Sequence, residues 1–345
     1  MRTLAPVREM KTFIPDKVFY EPACEDYPLG RELLQRYGGM GLDLIPIERH
    51  NSIPELRARG NAEFAAMKRH LVLGVRKSLT YKANHKTSDF LVPWTSSGCA
   101  AMCLYCYLVC TYFTSAYLRI FVNREAMMER LLRAAAKAQG EPVYEIGSNS
   151  DLVLEDTVSG SLQWSIRRFA GSPRGRLTLP TKFHMIEPLL ALPHNGRTVV
   201  RMSLNPEEVV RTVEFGTSPL AQRLQALRQL WQAGYPVGIL IAPLVLVEDW
   251  RARYERLFAR MADELPAALL RQAPLELIFM TYGFAHREIN PQAFPGAQPL
   301  YDEARMAPCG RGRCGYTRAA KEDAAPWFRE RLAHYFPDSV IAYIV

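Results

Sequence analysis

The chain has 345 residues, enough to bury a full hydrophobic core as one large α/β domain or as two ordinary domains. With 48% hydrophobic and 23% charged residues, no apolar leader and no apolar run long enough to cross a bilayer, the sequence predicts a globular cytoplasmic protein that makes no membrane contact. The formal net charge of +8 is compatible with a polyanion such as nucleic acid as partner, without requiring one.

Residues 1–88 are predicted to form an N-terminal extension that packs on the main domain. Prolines at positions 6, 15, 22, 28, 46 and 54 interrupt any long periodicity, so this part should consist of irregular segments and short helices. Residues 62–70 look helical, and Leu71 to Val75 reads as a strand. Eight Lys and Arg residues between Arg57 and Lys86 form its densest basic region, which favours either phosphate contact or a solvated surface.

The segment WTSSGCAAMCLYCY, residues 94–107, carries the strongest chemical signal of the chain. It places Cys99, Cys103 and Cys106 in a C-x3-C-x2-C spacing, so that one loop can hold a compact inorganic centre and leave one ligand position open. A zinc site is the alternative, but zinc cysteines usually come with a second closely spaced pair, which Cys309 and Cys314 do not supply. The spacing resembles the cluster loop of the radical S-adenosylmethionine (SAM) enzymes.

Beyond this loop, apolar β-rich runs alternate with helical patterns. Together with the strand that leads into Cys99, they make six βα steps, which predicts an α/β fold, a partial (β/α)6 barrel over residues 89–290. The further predicted strands cover residues 142–147, 176–179, 198–204, 237–245 and 275–281, and the predicted helices cover residues 124–139, 160–170, 184–192, 219–233 and 247–270.

Polar side chains follow these strands, where barrels of this kind carry their functional residues. Hydroxyls, an amide, a lysine and a carboxylate there would suit a bound amino acid and a ribose, with Lys182 suited to a carboxylate. The alternative for each Ser, Asn and Asp is that it caps the following helix. The residues concerned are Ser148, Asn149, Ser150, Asp151, Thr181, Lys182, Ser203, Asn205, Ala242, Pro243 and Met280 to Tyr282.

Residues 291–345 form a C-terminal segment of different character. The glycine-rich stretch PCGRGRCGYTR, residues 308–318, predicts a tight β-hairpin, with a flexible surface loop as the alternative. Arg311, Arg313 and Tyr316 are its candidate DNA-binding residues. Residues 319–336 are predicted to form an amphipathic helix and residues 340–345 a closing strand.

Motifs spread over most of the chain resemble the spore photoproduct lyase family of radical SAM enzymes. They include KVFYEPACEDYPLG, LVLGVRKSL, GCAAMCLYCYL, YLRIFVN, SNSD, TKF, HNGRT, RMSLNP, AGYPVG, IAPL and YFPDS. The resemblance implies a DNA repair lyase that uses a 5′-deoxyadenosyl radical to revert the spore photoproduct, 5-thyminyl-5,6-dihydrothymine, to two thymines. It also implies a flavodoxin- or ferredoxin-type electron donor, and we expect a monomer.

The same resemblance assigns roles to individual residues. The three loop cysteines would ligate a four-iron, four-sulfur (4Fe–4S) cluster, two tyrosines would lie beside it, and five strand-end residues would contact SAM or the nearby lesion. The hairpin would be a wedge that helps to splay the lesion out of the duplex. The tyrosines are Tyr105 and Tyr107, and the strand-end residues are Ser150, Asp151, Lys182, Ser203 and Ala242.

Ser148 is where the sequence departs from the family pattern. The family commonly has a cysteine here that returns a hydrogen atom to the thymine radical, and a serine O–H bond is too strong for that role. Either another thiol has taken the role, with Cys110 and Cys314 as the main candidates beside Cys309, or the substrate differs. Two alternatives therefore stay open: a related radical SAM enzyme with another substrate, and a non-catalytic iron–sulfur or zinc protein that binds nucleic acid.

Overall fold

The centre of the computed structural model, which describes residues 12–345, is a curled parallel sheet. Six strands hydrogen-bond to one another in chain order, which confirms the predicted half-barrel. Ile341–Ile344 continues the sheet beyond the sixth strand, and Lys82–Ala83 continues it antiparallel beyond the first. We number the six strands β1 (Phe90–Leu91), β2 (Val143–Glu145), β3 (Arg176–Thr181), β4 (Thr198–Ser203), β5 (Val237–Leu244) and β6 (Leu275–Phe279).

Helices connect these strands and cover the convex face of the sheet. Leu220–Gln232 shows why they form: Leu220, Leu224, Leu227 and Leu230 repeat at helical spacing, and all four are buried. The connecting helices are Arg124–Lys137, Leu152–Ser159, Ser161–Phe169, Glu207–Thr212, Leu220–Gln232, Trp250–Glu264 and Ala267–Gln272.

Two of the predicted helices are wrong in extent. Residues 184–192 form only the 3-10 turn Glu187–Leu189, since Pro188 stands at its start and successive backbone bonds there span two or three residues instead of four. Residues 247–270 form two helices rather than one, because Pro266 begins the second of them.

The N-terminal region contains a second sheet that the proline-rich sequence did not predict. Its strands are only two to four residues long, and one helix of twelve residues, Pro28–Gly39, packs beside them. Leu118–Phe121 comes from the predicted barrel segment yet pairs in parallel with Leu71–Gly74 of the predicted extension. The sheet runs in the order Leu44–Pro46, Val18–Tyr20, Leu71–Gly74, Leu118–Phe121 and Ser96–Ser97. Residues 1–11, where the predicted extension begins, lie outside the described residues.

The C-terminal segment contains the predicted hairpin. Met306–Gly310 and Arg313–Tyr316 pair antiparallel, and Thr281–Gly283 adds a third strand. Helix Phe284–Ala293 follows that third strand, and helix Arg318–Tyr335 follows the hairpin. Among the described residues, no helix is long and apolar enough to span a membrane.

Candidate active site at the mouth of the half-barrel

A cavity of about 330 Å³ lies at the C-terminal ends of the barrel strands, against the cysteine loop. All three loop cysteines, both candidate tyrosines and all five strand-end residues assigned to SAM line it, so residues far apart in sequence meet at one place. They are Cys99, Cys103, Cys106, Tyr105, Tyr107, Ser150, Asp151, Lys182, Ser203 and Ala242, with Ser148 beside them.

The cysteine loop begins with a turn that only glycine can make. Gly98 has a φ of +75°, and a Cβ there would lie 1.8 Å from the carbonyl oxygen of Tyr117. Its N–H donates to the carbonyl of Asn149 at the end of β2, 2.8 Å away. Gly98 therefore fixes the first cysteine against the barrel.

Both ends of this loop, residues 98–117, are held by the N-terminal sheet. Ser96–Ser97 pairs antiparallel with the strand Leu118–Phe121 and closes the loop at its base. The ammonium of Lys68, from the basic region of the extension, is buried and donates to the carbonyl of Ala116 at 2.8 Å. This lysine supports the loop and is not available for phosphate contact.

The three thiols share the cavity without the geometry of a single-ion site. In residues 12–345, no three His, Cys, Asp or Glu side chains are placed to hold one metal ion. Burial raises the pKa of the Cys99 thiol to about 12, and burial together with the charge of Glu214 raises that of Cys103. Three soft sulfur ligands around a common space fit a cluster better than a zinc ion.

Lys182, at the end of β3, points across the cavity to the neighbouring strands. Its ammonium donates to the Ser203 hydroxyl at 2.6 Å and to the Ala242 carbonyl at 2.9 Å, and it pairs with Glu214 at 3.0 Å. The ammonium is thus held at the cavity wall by three fixed oxygens.

Glu214 is the main site residue that sequence reasoning missed. Its carboxylate accepts from Asn205 at 2.8 Å and from the hydroxyl of Tyr105, and it also pairs with Arg223 at 2.6 Å. Burial alone would raise the pKa of this carboxyl, but the charges of Arg223 and Lys182 hold it well below its usual range. Two features of the sequence could have indicated this ion pair. Glu214 stands between the apolar residues Val213 and Phe215, and Arg223 lies on the leucine-rich face of helix Leu220–Gln232.

Asp151 takes the capping role that the sequence left open. One carboxylate oxygen accepts from the N–H groups of Val153 and Leu154 at the start of helix Leu152–Ser159, and the Thr181 hydroxyl donates to it at 2.8 Å. The other accepts from the backbone N–H of Lys182 at 2.8 Å. Asp151 therefore joins the ends of β2 and β3 while it lines the cavity.

The thiols predicted as main candidate hydrogen donors lie outside the cavity lining, whereas Tyr107, predicted to lie beside the cluster, is part of it. Tyr107 lines the cavity and is 49% exposed, whereas Cys110 and Cys314 do not line it. Cys110 lies on the same helix as Tyr107, with its sulfur 3.7 Å from Nδ1 of His286. Because this Nδ1 accepts from the N–H of Gly283, Nε2 carries the proton and donates to the carbonyl of Cys106 at 2.8 Å.

The hairpin presents arginines but no aromatic ring. Arg311 and Gly312 form its two-residue turn with φ values of +54° and +69°, the pattern of a type I′ turn. Arg311 is exposed and Arg313 is partly exposed. Tyr316, in contrast, is buried, and its hydroxyl accepts from the N–H of Leu246 at 2.7 Å.

The chain is similar to known proteins over nearly its whole length. The model of the spore photoproduct lyase family matches residues 13–345. Spore photoproduct lyase of Bacillus subtilis (strain 168) is 31% identical over 339 residues, which cover 96% of this chain and 98% of that protein. The same enzyme of Geobacillus sp. (strain Y412MC61) is 29% identical over 340 residues, 97% of this chain and 99% of that protein.

Solved structures agree with these relatives. Spore photoproduct lyase complexed with dinucleoside spore photoproduct matches with a TM-score of 0.90 and 28% identity, covering 97% of this chain and 100% of that one. A variant with bound AdoMet and dinucleoside spore photoproduct gives the same TM-score, identity and coverage.

Proposed function

Because the chain belongs to the spore photoproduct lyase family, we propose that its cavity binds a 4Fe–4S cluster, SAM and the thymine lesion side by side. The protein is a radical SAM lyase of DNA repair that reverts the spore photoproduct to two thymines. The observation that carries the assignment to this cavity is that three cysteines and five strand-end polar residues line one space of about 330 Å³.

The chain's own groups fit these ligands. The thiolates of Cys99, Cys103 and Cys106 would hold three irons of the cluster, and Lys182 would offer its ammonium to the SAM carboxylate. When bound, the cluster and SAM supply the 5′-deoxyadenosyl radical that takes a hydrogen atom from the lesion. Ser150 and Ser203 line the same wall, and their hydroxyls would contact SAM from it.

Tyr107 is the side chain best placed to return a hydrogen atom to the product radical. Ser148 lines the cavity but its O–H bond is too strong, and the Tyr105 hydroxyl is engaged by Glu214. A hydrogen atom would pass from the phenol of Tyr107 to the thymine radical, and an electron from a flavodoxin- or ferredoxin-type donor with a solvent proton would restore the phenol. Cys110 and Cys314 remain candidates that would have to act from outside the cavity.

The test of the function is anaerobic turnover. The enzyme, reconstituted with iron and sulfide, is given dithionite, SAM and dinucleotide spore photoproduct, and 5′-deoxyadenosine and thymidylyl-thymidine are followed together. Both products are expected, and Cys103→Ala should form neither. When the reaction is repeated in D₂O, the wild type should yield deuterated thymidylyl-thymidine and Tyr107→Phe should not. Full deuterium labelling of the product by Tyr107→Phe would show that a thiol, and not Tyr107, donates the hydrogen atom.

Ser148 supports a second candidate function, a radical SAM enzyme of the same family that acts on another substrate. In that case 5′-deoxyadenosine would form without repaired dinucleotide. Ser148→Cys separates the two candidates: it should leave repair intact in a lyase whose cavity geometry is that of the family. It should not create repair in an enzyme built for another substrate.

A further inference from the structure

Phe284 is a large apolar side chain that stays exposed at the start of helix Phe284–Ala293. It is 56% exposed, although Gly283 and Ala285 on either side of it are buried. Isolated exposed apolar residues are common on protein surfaces, so the exposure alone carries no meaning. Its position does.

Phe284 directly follows a strand whose first residue lines the cavity. This strand is Thr281–Gly283, and Thr281 is the residue that lines the cavity. A Cβ on Gly283 would lie 2.5 Å from the sulfur of Cys110, on the same helix whose first residue, Tyr107, lines the cavity wall. The phenylalanine therefore lies next to two elements, this strand and this helix, that form part of the cavity wall.

Phe284 also touches the hairpin turn. Its N–H donates to the carbonyl of Gly312 at 3.0 Å, and a Cβ on Gly312 would lie 3.7 Å from its ring. The turn itself has only the side chain of Arg311 to offer, and the hairpin's Tyr316 is buried. The exposed aromatic ring at the tip of the hairpin thus comes from a different element.

One cation lies over this ring, and two more belong to the neighbouring hairpin. The guanidinium of Arg287 lies between the rings of Phe284 and Tyr301, 5.9 and 4.4 Å from their centres. Within the described chain, none of Arg287, Arg311 and Arg313 forms a salt bridge with a carboxylate. An aromatic face for a base, bordered by free cations for phosphates, is the combination that binds an opened DNA strand.

Building on the proposed function, we propose that Phe284 stacks on the base beside the lesion and keeps the dimer out of the duplex. A dimer in a duplex reaches the cavity only after it leaves the base stack, and apolar side chains inserted between bases stabilise that opened state. A dinucleotide has no flanking bases, so it would reach the cavity without this contact. The residue thus sets the preference for duplex over dinucleotide.

The first test compares two substrates. Phe284→Ala should slow repair of the lesion in an oligonucleotide duplex about tenfold, the effect expected from loss of one base–aromatic stack, and leave dinucleotide repair unchanged. Phe284→Tyr, which retains the ring, should repair the duplex at the wild-type rate. Val340→Ala is the matched control: Val340 is 61% exposed and bonds to the first residue of β6, at the opposite end of the barrel. Equal slowing on both substrates, or unchanged duplex repair, overturns the proposal.

The second test needs no turnover. A duplex with 2-aminopurine opposite the lesion should brighten when the wild-type protein binds without SAM, because the reporter loses its pairing partner, and should brighten less with Phe284→Ala. Equal brightening by both proteins contradicts the proposal. If the wild type opens this duplex through Phe284 but never repairs the dinucleotide, the proposed function fails while the inference about Phe284 stands.

Discussion

Two buried ion-pair networks lie at opposite ends of the half-barrel, with opposite charge balance. At the mouth, the carboxylate of Glu214 stands between two cations, Lys182 and Arg223. Toward the other end, the guanidinium of Arg201 stands between two carboxylates, Glu145 and Glu276, with the nearer Glu276 oxygen 3.0 Å away.

The surplus charge explains what each network is for. The Glu214 network has one carboxylate for two cations, and Lys182 brings its surplus positive charge to the cavity wall, where it can attract an anionic group of a ligand. The carboxyl group of Asp151 lines the same cavity but is bonded to backbone N–H groups and to Thr181.

The network of Arg201, Glu145 and Glu276, here called the lower network, holds the strands β2, β4 and β6 together. In this network, burial and the charge of Glu276 raise the pKa of Glu145 to about 7, although the charge of Arg201 acts in the opposite direction. Protonation of Glu145 therefore removes the surplus negative charge of the network.

Removing the carboxylate at the mouth should have the largest effect. Glu214→Gln leaves the buried Arg223 and the partly exposed Lys182 without a counter-charge, which should lower the free energy of unfolding by about 3–5 kcal/mol and abolish SAM cleavage. Chemical denaturation and 5′-deoxyadenosine formation measure the two effects. Glu208→Gln, which breaks the surface pair with Arg256, is the control and should change neither. Normal SAM cleavage by Glu214→Gln would show that Lys182 needs no partner.

Removing the cation of the lower network should separate stability from activity. Arg201→Met leaves two buried carboxylates facing each other and should lower the free energy of unfolding by about 3 kcal/mol. SAM cleavage per folded molecule should be unchanged, because Arg201 does not line the active-site cavity. A loss of SAM cleavage at full folding would refute the separation of the two ends.

A smaller effect should follow from removing one hydrogen bond at the mouth while its charges remain. Tyr105→Phe loses only the bond to Glu214, which should cost about 1–2 kcal/mol of unfolding free energy. The yield of deuterated product in D₂O should match the wild type, in contrast to Tyr107→Phe. If Tyr105→Phe also removes the deuterium label, Tyr105 belongs to the route of the hydrogen atom.

A change of pH dependence should follow from removing the titratable group of Glu145. The pKa of Glu145 rises from 4.5 to about 7 on folding, so the folded state binds more protons than the unfolded state between these values. Its contribution to stability therefore falls as pH rises from about 4.5 to 7. Relative to the wild type, Glu145→Gln should gain about 2 kcal/mol of unfolding free energy between pH 5 and pH 7.5, measured by denaturation at these two values. A constant difference would show that Glu145 is ionised throughout.

The sequence predicted those site residues that can be recognised from their immediate neighbours in the chain. The spacing of Cys99, Cys103 and Cys106 and the position of Lys182 after an apolar strand are visible within short windows, and the structure brings them to one cavity. Glu214 was missed because its partners Lys182 and Arg223 are set by the packing of other elements. The assignment of Tyr316 to DNA contact remains untested, but its buried hydroxyl is bonded to the N–H of Leu246.

The fold, like the site, was predicted where local sequence patterns are long enough and missed where they are not. The barrel strands β3 to β6 are five to eight residues long, and their apolar runs were found. The N-terminal sheet, in contrast, is made of strands such as Val18–Tyr20 and Leu44–Pro46, which are too short for any periodicity. One of its strands, Leu118–Phe121, follows the cysteine loop in the chain and pairs with Leu71–Gly74. No local sequence pattern predicts a pairing between segments so far apart.

The β-ladder that closes the cysteine loop affects how readily the iron–sulfur cluster can be rebuilt after oxygen has destroyed it. Iron–sulfur clusters with an open iron are destroyed by oxygen, and the loop must then wait empty for new iron and sulfide. Because Ser96–Ser97 and Leu118–Phe121 stay paired, the ends of residues 98–117 remain joined when the cluster is gone. Reassembly then has no loop-closure entropy to overcome. The N-terminal sheet, to which both strands belong, therefore helps a damaged enzyme to take up a new cluster.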